Sequence, residues 1–174
     1  MNIAEPYSSK MTSTAPNLHI IMGPAGSGKT SIPSALSTRM SCLMIEADDH
    51  HPQENVDKMR SGTPLTDLDR IVWLDSLIAA INAGTGDDLV LACSALTPYV
   101  QSRLRDDTDH TCHWWLIDLP RDVLDSRMRA RKNHFMPADL LDSQLASLTP
   151  PSDVRRVHGD QTIDAICDEI LAQL

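Results

Sequence analysis

Short apolar runs alternate with longer helix-like segments along most of the chain. Four runs have the length of a buried strand: LHIIM (18–22), CLMIE (42–46), DLVLACS (88–94) and HWWLIDL (113–119). A weaker fifth run, RRVHG, occupies 155–159. Because strands that alternate with helices form parallel sheets covered by helices on both faces, the pattern predicts an α/β fold.

Helical periodicity and capping residues place the predicted helices between these runs. In the clearest helix, residues 66–84, Thr66 is a candidate N-cap and Gly84 a candidate stop. Its apolar residues recur at helical spacing: Leu68, Ile71, Leu74, Ile78 and Ile81. Further helices are predicted at 120–132, 137–148 and 162–174.

Length and composition predict one soluble domain. At 174 residues and 19.2 kDa the chain suits a single core. Residues 1–17 are rich in Ser, Thr and Pro and lack apolar periodicity, so we expect a flexible leader followed by one domain, 18–174. We expect the adjacent Trp114 and Trp115 to point to opposite faces of a strand and to lie in the core.

The net charge limits the expected binding partners, and the cysteine content bears on the expected cellular location. Fifteen Lys and Arg face 24 Asp and Glu, a formal charge of −9, so we expect neither nucleic acid nor a membrane as partner. The four cysteines form no CxxC pair, which favours reduced thiols and a cytoplasmic location. The C-terminal AQL loosely resembles a peroxisomal tripeptide, but Gln173 stands where that signal has a basic residue.

The stretch IIMGPAGSGKTSI contains the strongest chemical motif. Its glycines, Lys29 and Thr30 fit G-x-x-x-x-G-K-[ST] between a strand and a helix. The glycines let backbone amides face phosphate oxygens, Lys29 reaches the β and γ phosphates, and Thr30 offers its hydroxyl to Mg²⁺. The motif therefore predicts a cradle that binds Mg²⁺ and ATP: Gly23, Pro24, Ala25, Gly26, Ser27, Gly28, Lys29, Thr30 and Ser31.

The rest of the sequence favours a small-molecule kinase. The base-reading Asn-Lys-x-Asp of GTPases is absent, and motor or transport ATPases usually have longer chains. Asp48 follows the second apolar run, where it is placed to orient Mg²⁺ or to accept the proton of an attacking hydroxyl. Taken alone, the acidic cluster before Pro52 is equally consistent with helix capping. Ser94 either contacts the acceptor or caps the next helix.

Two clusters of polar residues have competing interpretations. Arg127, Arg129, Arg131 and Lys132 form either a solvated basic face or a phosphate-binding lid, and residues 133–136 after them break the helix. His50-His51 and His110-x-x-His113 have metal-like spacing, but no Cys or carboxylate set completes a tetrahedron, so we expect no zinc site.

Four segments together resemble one known family. They are MGPAGSGKT, the block EADDHHPQENVDKMRSGTPLTDLDR followed by WL, CSAL, and SRMRARKNHFM followed by LL, SQ and PP. In spacing and residues the chain resembles the small P-loop gluconokinases from Leu18 to about Pro151. These are relatives of shikimate kinase with a nucleoside-monophosphate-kinase-like fold and a mobile lid.

The resemblance implies ATP-dependent phosphorylation of D-gluconate at its 6-hydroxyl, which supplies 6-phosphogluconate to the pentose phosphate pathway. It implies that Asp48 is the base and, with Thr30, a Mg²⁺ contact, and that the enzyme is a homodimer. It places four residues on the acceptor side: His51, Lys58, Arg70 and His134. Either Arg70 or Lys58 is expected to hold the gluconate carboxylate, and Arg has the bidentate geometry.

The resemblance also assigns the basic cluster to a lid of about residues 127–137. Arg127 is expected to stack near adenine, and Arg131 to meet the phosphates on closure and act in catalysis with Lys29 and Asp48.

Two departures from the family leave other functions open. Ala47 replaces a glycine, which would cost about 1–2 kcal/mol if that position needed a positive φ. At residues 97–102 a lysine and an arginine near the acceptor are lost, with Thr97 and Gln101 among the replacements. The alternatives are a kinase of the same fold acting on another polyhydroxy acid or on shikimate, and a module that binds ATP without transferring phosphate.

Overall fold

The computed structural model of the protein describes residues 15–130 and 140–174. Within these ranges the chain forms five strands, seven α-helices and one 3₁₀ turn, Ala47–His50. The strands are β1 (Asn17–Met22), β2 (Leu43–Glu46), β3 (Asp88–Ala92), β4 (Thr111–Asp118) and β5 (Arg155–His158). The helices are α1 (Ser31–Met40), α2 (Gln53–Arg60), α3 (Asp67–Asn82), α4 (Pro98–Asp106), α5 (Arg121–Ala130), α6 (Leu140–Ser147) and α7 (Ile163–Leu171).

The strands form one parallel sheet in the order β2-β3-β1-β4-β5. The predicted α/β fold is therefore confirmed, with each predicted strand within two residues of its expected limits. Of the predicted leader only 15–17 are described, and Asn17 already belongs to β1, where its side chain donates to Asp88 Oδ1 at 3.0 Å. Since parallel strands end at one edge of the sheet, the segments after β1, β2 and β3 meet there.

Two apolar cores cover the two faces of the sheet. Helices α3 and α4 pack on one face around Trp114, and α1 and α7 pack on the other around Trp115. Both indoles are at most 1% exposed, as predicted from their adjacent positions on one strand. All four cysteines are free thiols: Cys93 and Cys167 are buried, and Cys42 and Cys112 are half-buried. No helix among the described residues is long and apolar enough to cross a membrane.

Helix α3 begins as predicted but buries a different set of residues. Thr66 and Asp69 form a reciprocal capping box at its start. Of the five apolar residues at helical spacing, Leu74, Ile78 and Ile81 are buried, whereas Leu68 is 80% and Ile71 38% exposed. The apolar core includes residues of α3 only from Trp73 onward. Leu68 and Ile71 precede Trp73, so their side chains face solvent.

The 3₁₀ turn after β2 accommodates Ala47 without strain. Among the described residues, the non-glycine residues with positive φ are Ser41 and Ala95, so Ala47 does not need the conformational freedom of glycine. Its methyl group is fully buried, and its carbonyl accepts a hydrogen bond of 2.7 Å from Trp73 Nε1. The cost that a positive φ would have brought at Ala47 therefore does not arise.

This geometry predicts unequal losses of stability when two buried alanines are replaced by glycine. Ala47→Gly should lower the free energy of unfolding by about 1–2 kcal/mol, since it removes a buried methyl and adds backbone entropy to the unfolded chain. Ala95→Gly loses a similar methyl but relieves a φ of 43°, so it should stay within about 1 kcal/mol of the parent. Urea unfolding measures both, and equal losses would contradict the assigned backbone conformations.

Candidate active site

A cavity of about 170 Å³ opens at the edge of the sheet where β1, β2 and β3 end. Its walls come from the predicted phosphate cradle, the 3₁₀ turn, α3, the β3–α4 connection and α6. The segments after three neighbouring strands thus converge on one space, as expected for ligand binding in an open parallel sheet.

The glycines of the cradle are required by close contacts. Gly23, Gly26 and Gly28 have φ values of 150°, 85° and 101°, which side-chain-bearing residues rarely adopt. A Cβ on Gly26 would lie 2.8 Å from the carbonyl oxygen of Leu124 in α5, and one on Gly23 would lie 2.9 Å from Ser27 Oγ. The cradle is therefore shaped by backbone alone, which suits the approach of phosphate oxygens.

Five residues of the cradle line the cavity, and the others support it. The lining residues are Ala25, Gly26, Gly28, Lys29 and Thr30. The Lys29 ammonium donates to the carbonyl of Pro24 at 2.7 Å, which holds it at the mouth of the cradle. Ser27 is fully buried, and Ser31 lies with Thr30 on a separate groove between α1 and α7.

Two carboxylates face the cradle from the end of β2. Asp48 lines the cavity with its side chain 46% exposed, and Glu46 lines it from a half-buried position. Burial, reinforced by the charge of Asp48, raises the pKa of Glu46 to about 7, while Lys29 opposes the rise. Glu46 is the alternative candidate for the base should Asp48 not act as one, and as the last residue of β2 it reaches the same cavity.

His51 lies against Trp73 beside Asp48. The imidazole stacks on the indole with ring centroids 4.6 Å apart and planes at 13°. Burial lowers the pKa of His51, so the ring is neutral at pH 7, and its Nε2 lies 4.0 Å from Asp48 Oδ1. Its Nδ1 is buried and has no hydrogen-bond partner within the described part of the chain.

The structure separates the two cations expected to hold an acceptor carboxylate. Arg70 lines the cavity, and its guanidinium donates to Asp67 at 2.6 Å. Lys58 is not among the lining residues, because its ammonium donates to Asp69 Oδ2 at 2.6 Å within the capping box of α3. Lys58 and Thr66 hold the pKa of Asp69 below its usual range. Lys58 thus ties α2 to α3.

The predicted lid is described only at its start. Arg127 on α5 is half-buried and donates from Nη2 to the carbonyl of Gly159 at 3.2 Å, beyond the residues that line the cavity. This contact joins α5 to the connection between β5 and α7. Arg131 and His134, like the rest of the predicted lid, lie outside the described residues, so their assigned roles stay predictions.

The substituted stretch after CSAL has two different parts. Thr97 lines the cavity and also accepts from Val100 N as the N-cap of α4. Gln101 is 6% exposed and donates to the carbonyls of Ala95 at 2.9 Å and Thr149 at 2.8 Å. Gln101 therefore faces the protein interior and does not line the cavity. This position differs from the expectation that residue 101 lies near the acceptor. Ser94 lines the cavity.

Helix α6 contributes a wall that sequence reasoning missed. Ser143, Gln144 and Ser147 line the cavity, and Gln144 Oε1 accepts a hydrogen bond of 2.7 Å from the backbone N–H of Ala25. Their spacing of i, i+1 and i+4 puts all three on one helix face. In the sequence, this wall could have been predicted from three polar residues that share one face of the predicted helix.

The chain is similar to known kinases over most of its length. The family model described as an AAA domain matches residues 18–151. A gluconokinase of Gluconobacter oxydans is 41% identical over 163 residues, which cover 90% of each chain. The crystal structure of a gluconokinase from Sinorhizobium meliloti, 34% identical, matches with a TM-score of 0.78 over 91% of both chains. Shikimate kinase from Aquifex aeolicus, 15% identical with a TM-score of 0.62, shares the fold. The chain belongs to the gluconokinase family.

Proposed function

We propose that the protein transfers the γ-phosphoryl group of ATP to the 6-hydroxyl of D-gluconate and releases 6-phospho-D-gluconate and ADP. The observation that carries the proposal is that Lys29, Asp48 and Arg70 line the same cavity. This arrangement supplies a phosphate-binding cation, a carboxylate base and a carboxylate-binding cation in one space. Membership in the gluconokinase family supports the choice of acceptor.

The donor side of the cavity fits ATP with Mg²⁺. Gly26 and Gly28 line the cavity in positive-φ conformations that side-chain-bearing residues rarely adopt, so the cradle presents backbone to a ligand there. Thr30, Glu46 and Asp48 line the cavity with a hydroxyl and two carboxylates, the oxygen ligands that Mg²⁺ prefers. Mg²⁺ bound there would neutralise charge on the phosphates. Lys29 would leave the Pro24 carbonyl to contact the β and γ phosphates, and the cradle amides would hold their oxygens.

On the acceptor side, Asp48 would accept the proton of the 6-hydroxyl as that oxygen bonds to the γ-phosphorus. The bond from the γ-phosphorus to the bridging oxygen breaks, and ADP leaves with that electron pair. Neutral His51 adds no positive charge beside Asp48 and has an unsatisfied buried Nδ1. Arg70 would bind the gluconate carboxylate through its planar guanidinium.

Two features of the proposal rest on the family resemblance alone, the homodimer and the roles of Arg127, Arg131 and His134 in a closing lid. The cytoplasmic location rests on the cysteine pattern of the sequence. Each stays a prediction.

Release of ADP, measured with a panel of acids, tests the proposed function. Gluconate, other aldonic acids and shikimate are compared with ATP alone, and we expect gluconate to give the highest kcat/KM. ATP hydrolysis that is independent of any acid, or no turnover with any acid, would contradict a kinase. A higher kcat/KM for another acid would replace gluconate as the acceptor.

In the same assay, Asp48→Asn should lower kcat by about 10² to 10⁴, or about 3–5.5 kcal/mol, because general-base assistance is lost. Its affinity for ATP should fall far less, since Lys29 and the cradle amides remain. Lys29→Ala is the comparison variant and should impair both ATP binding and turnover. Near-parental turnover of Asp48→Asn would remove Asp48 from the assigned role.

A matched pair of variants separates the two candidate carboxylate-binding cations. Arg70→Lys keeps the charge but loses the bidentate fork, so the KM for gluconate should rise roughly 10- to 100-fold with the KM for ATP unchanged. Lys58→Met should leave the KM for gluconate unchanged and lower the free energy of unfolding, because Asp69 loses its partner. A larger rise in KM with Lys58→Met would reverse the assignment.

The raised pKa of Glu46 predicts how stability depends on pH in the protein without Mg²⁺ or nucleotide. Between its ordinary pKa of 4.5 and about 7, Glu46 is ionised in the unfolded chain but protonated in the folded one. Folding therefore takes up a proton, and this group makes stability fall as pH rises through that window and level off above it. Urea unfolding at intervals from pH 5 to pH 8 should show this fall in the parent and not in Glu46→Gln. Parallel profiles would contradict the raised pKa.

A further inference from the structure

Helix α6 presents an uncharged polar face to a cavity that is also lined by charged side chains. Ser143, Gln144 and Ser147 line the same cavity as the cations Lys29 and Arg70. Hydroxyl and carboxamide groups both donate and accept hydrogen bonds without imposing a charge. Such a face suits the hydroxyl groups of an acceptor better than its carboxylate or the phosphates of ATP.

The carboxamide of Gln144 has a fixed orientation. Its Oε1 accepts the N–H of Ala25 at 2.7 Å, and only the oxygen end of an amide can accept. The NH₂ end of the side chain is thereby set as the donor end. Gln144 thus connects α6 directly to the segment that is shaped for phosphate.

Hydrogen bonds hold the C-terminal end of α6 and the side chain of Ser147 in place. Beyond the C-terminus of α6, Thr149 donates from its backbone N–H to the carbonyl of Leu96 at 2.9 Å and accepts from buried Gln101 at 2.8 Å. The Ser147 hydroxyl donates to the Ser143 carbonyl at 2.8 Å, which fixes its rotamer and leaves its oxygen able to accept. Side chains that are held in this way bind a ligand without a further ordering cost.

We propose that Ser143, Gln144 and Ser147 form a hydroxyl-recognition wall that selects linear polyhydroxy acids, and that Gln144 positions the acceptor against the cradle. The inference rests on the proposed kinase function and adds to it the residues that recognise the polyol chain. Arg70 then binds the acid group while α6 binds hydroxyls, so selection against acids with fewer hydroxyls comes from α6.

The test pairs Ser147→Ala with gluconate analogues that each lack one hydroxyl. The parent should prefer gluconate over each analogue whose missing hydroxyl meets the wall. Ser147→Ala should lower kcat/KM for gluconate roughly three- to tenfold. The variant should lose its preference for gluconate over one analogue only, the one that lacks the hydroxyl bound by Ser147, because that analogue has no contact with Ser147 to lose. Ser102→Ala is the matched control, since Ser102 also donates to a carbonyl of its own helix, at 3.0 Å from Tyr99 O, but lies away from the cavity.

Gln144→Met tests the positioning role. It removes the amide donors without placing a negative charge beside the phosphate cradle, so kcat/KM for gluconate should fall roughly tenfold or more with ATP affinity within threefold of the parent. A parallel loss of ATP affinity would reduce Gln144 to a support of the cradle and overturn that role. Retained discrimination against every analogue in Ser147→Ala would overturn the wall.

If the protein does not phosphorylate gluconate, the assay gives a result that differs from failure of the wall proposal. In that case the parent itself lacks activity with gluconate, and the same variants are measured with the acid that the panel identifies. An acid without several hydroxyls as the best acceptor would overturn the wall together with gluconate.

Discussion

The indole of Trp73 fixes the turn on which the acceptor side of the site depends. Its N–H binds the carbonyl of Ala47, and its ring face stacks against His51. Asp48 lies between these two contacts in sequence, so one buried side chain of α3 sets the position of the candidate base. The indole is 4% exposed and belongs to the main core, which couples the geometry of the site to the packing of the sheet.

The cavity is lined by cations as well as carboxylates, although the protein as a whole is negatively charged. A chain with a formal charge of −9 repels anions at long range, yet Lys29 and Arg70 line the cavity that would take ATP and a sugar acid. Glu46 and Asp48 face these cations, and the burial of Glu46 keeps it protonated up to about pH 7. Protonation of Glu46 lowers the negative charge of the pair and so lessens its repulsion of phosphate.

Local patterns predicted the sheet and the cradle because each depends on neighbours in sequence. Apolar runs gave the strands, and the glycines before Lys29 gave the cradle. Features that depend on distant partners were not predictable. Lys58 pairs with Asp69 rather than lining the cavity, and Leu68 is exposed because the core takes up α3 only from Trp73 onward. The wall on α6 depends on a contact between residues 25 and 144, which no local pattern specifies.

The structure accommodates both departures from the family pattern without strain at Ala47 or an unpaired polar group at Gln101. Ala47 fits a turn that needs no positive φ, so the missing glycine does not displace Asp48. Gln101 binds the carbonyls of Ala95 and Thr149, which tie the end of β3 to the segment after α6. A longer, charged residue at this buried position would have to leave the interior or carry a partner with it. The substitution therefore replaces a charge with a neutral tether, and Arg70 and the helix held by this tether still line the cavity.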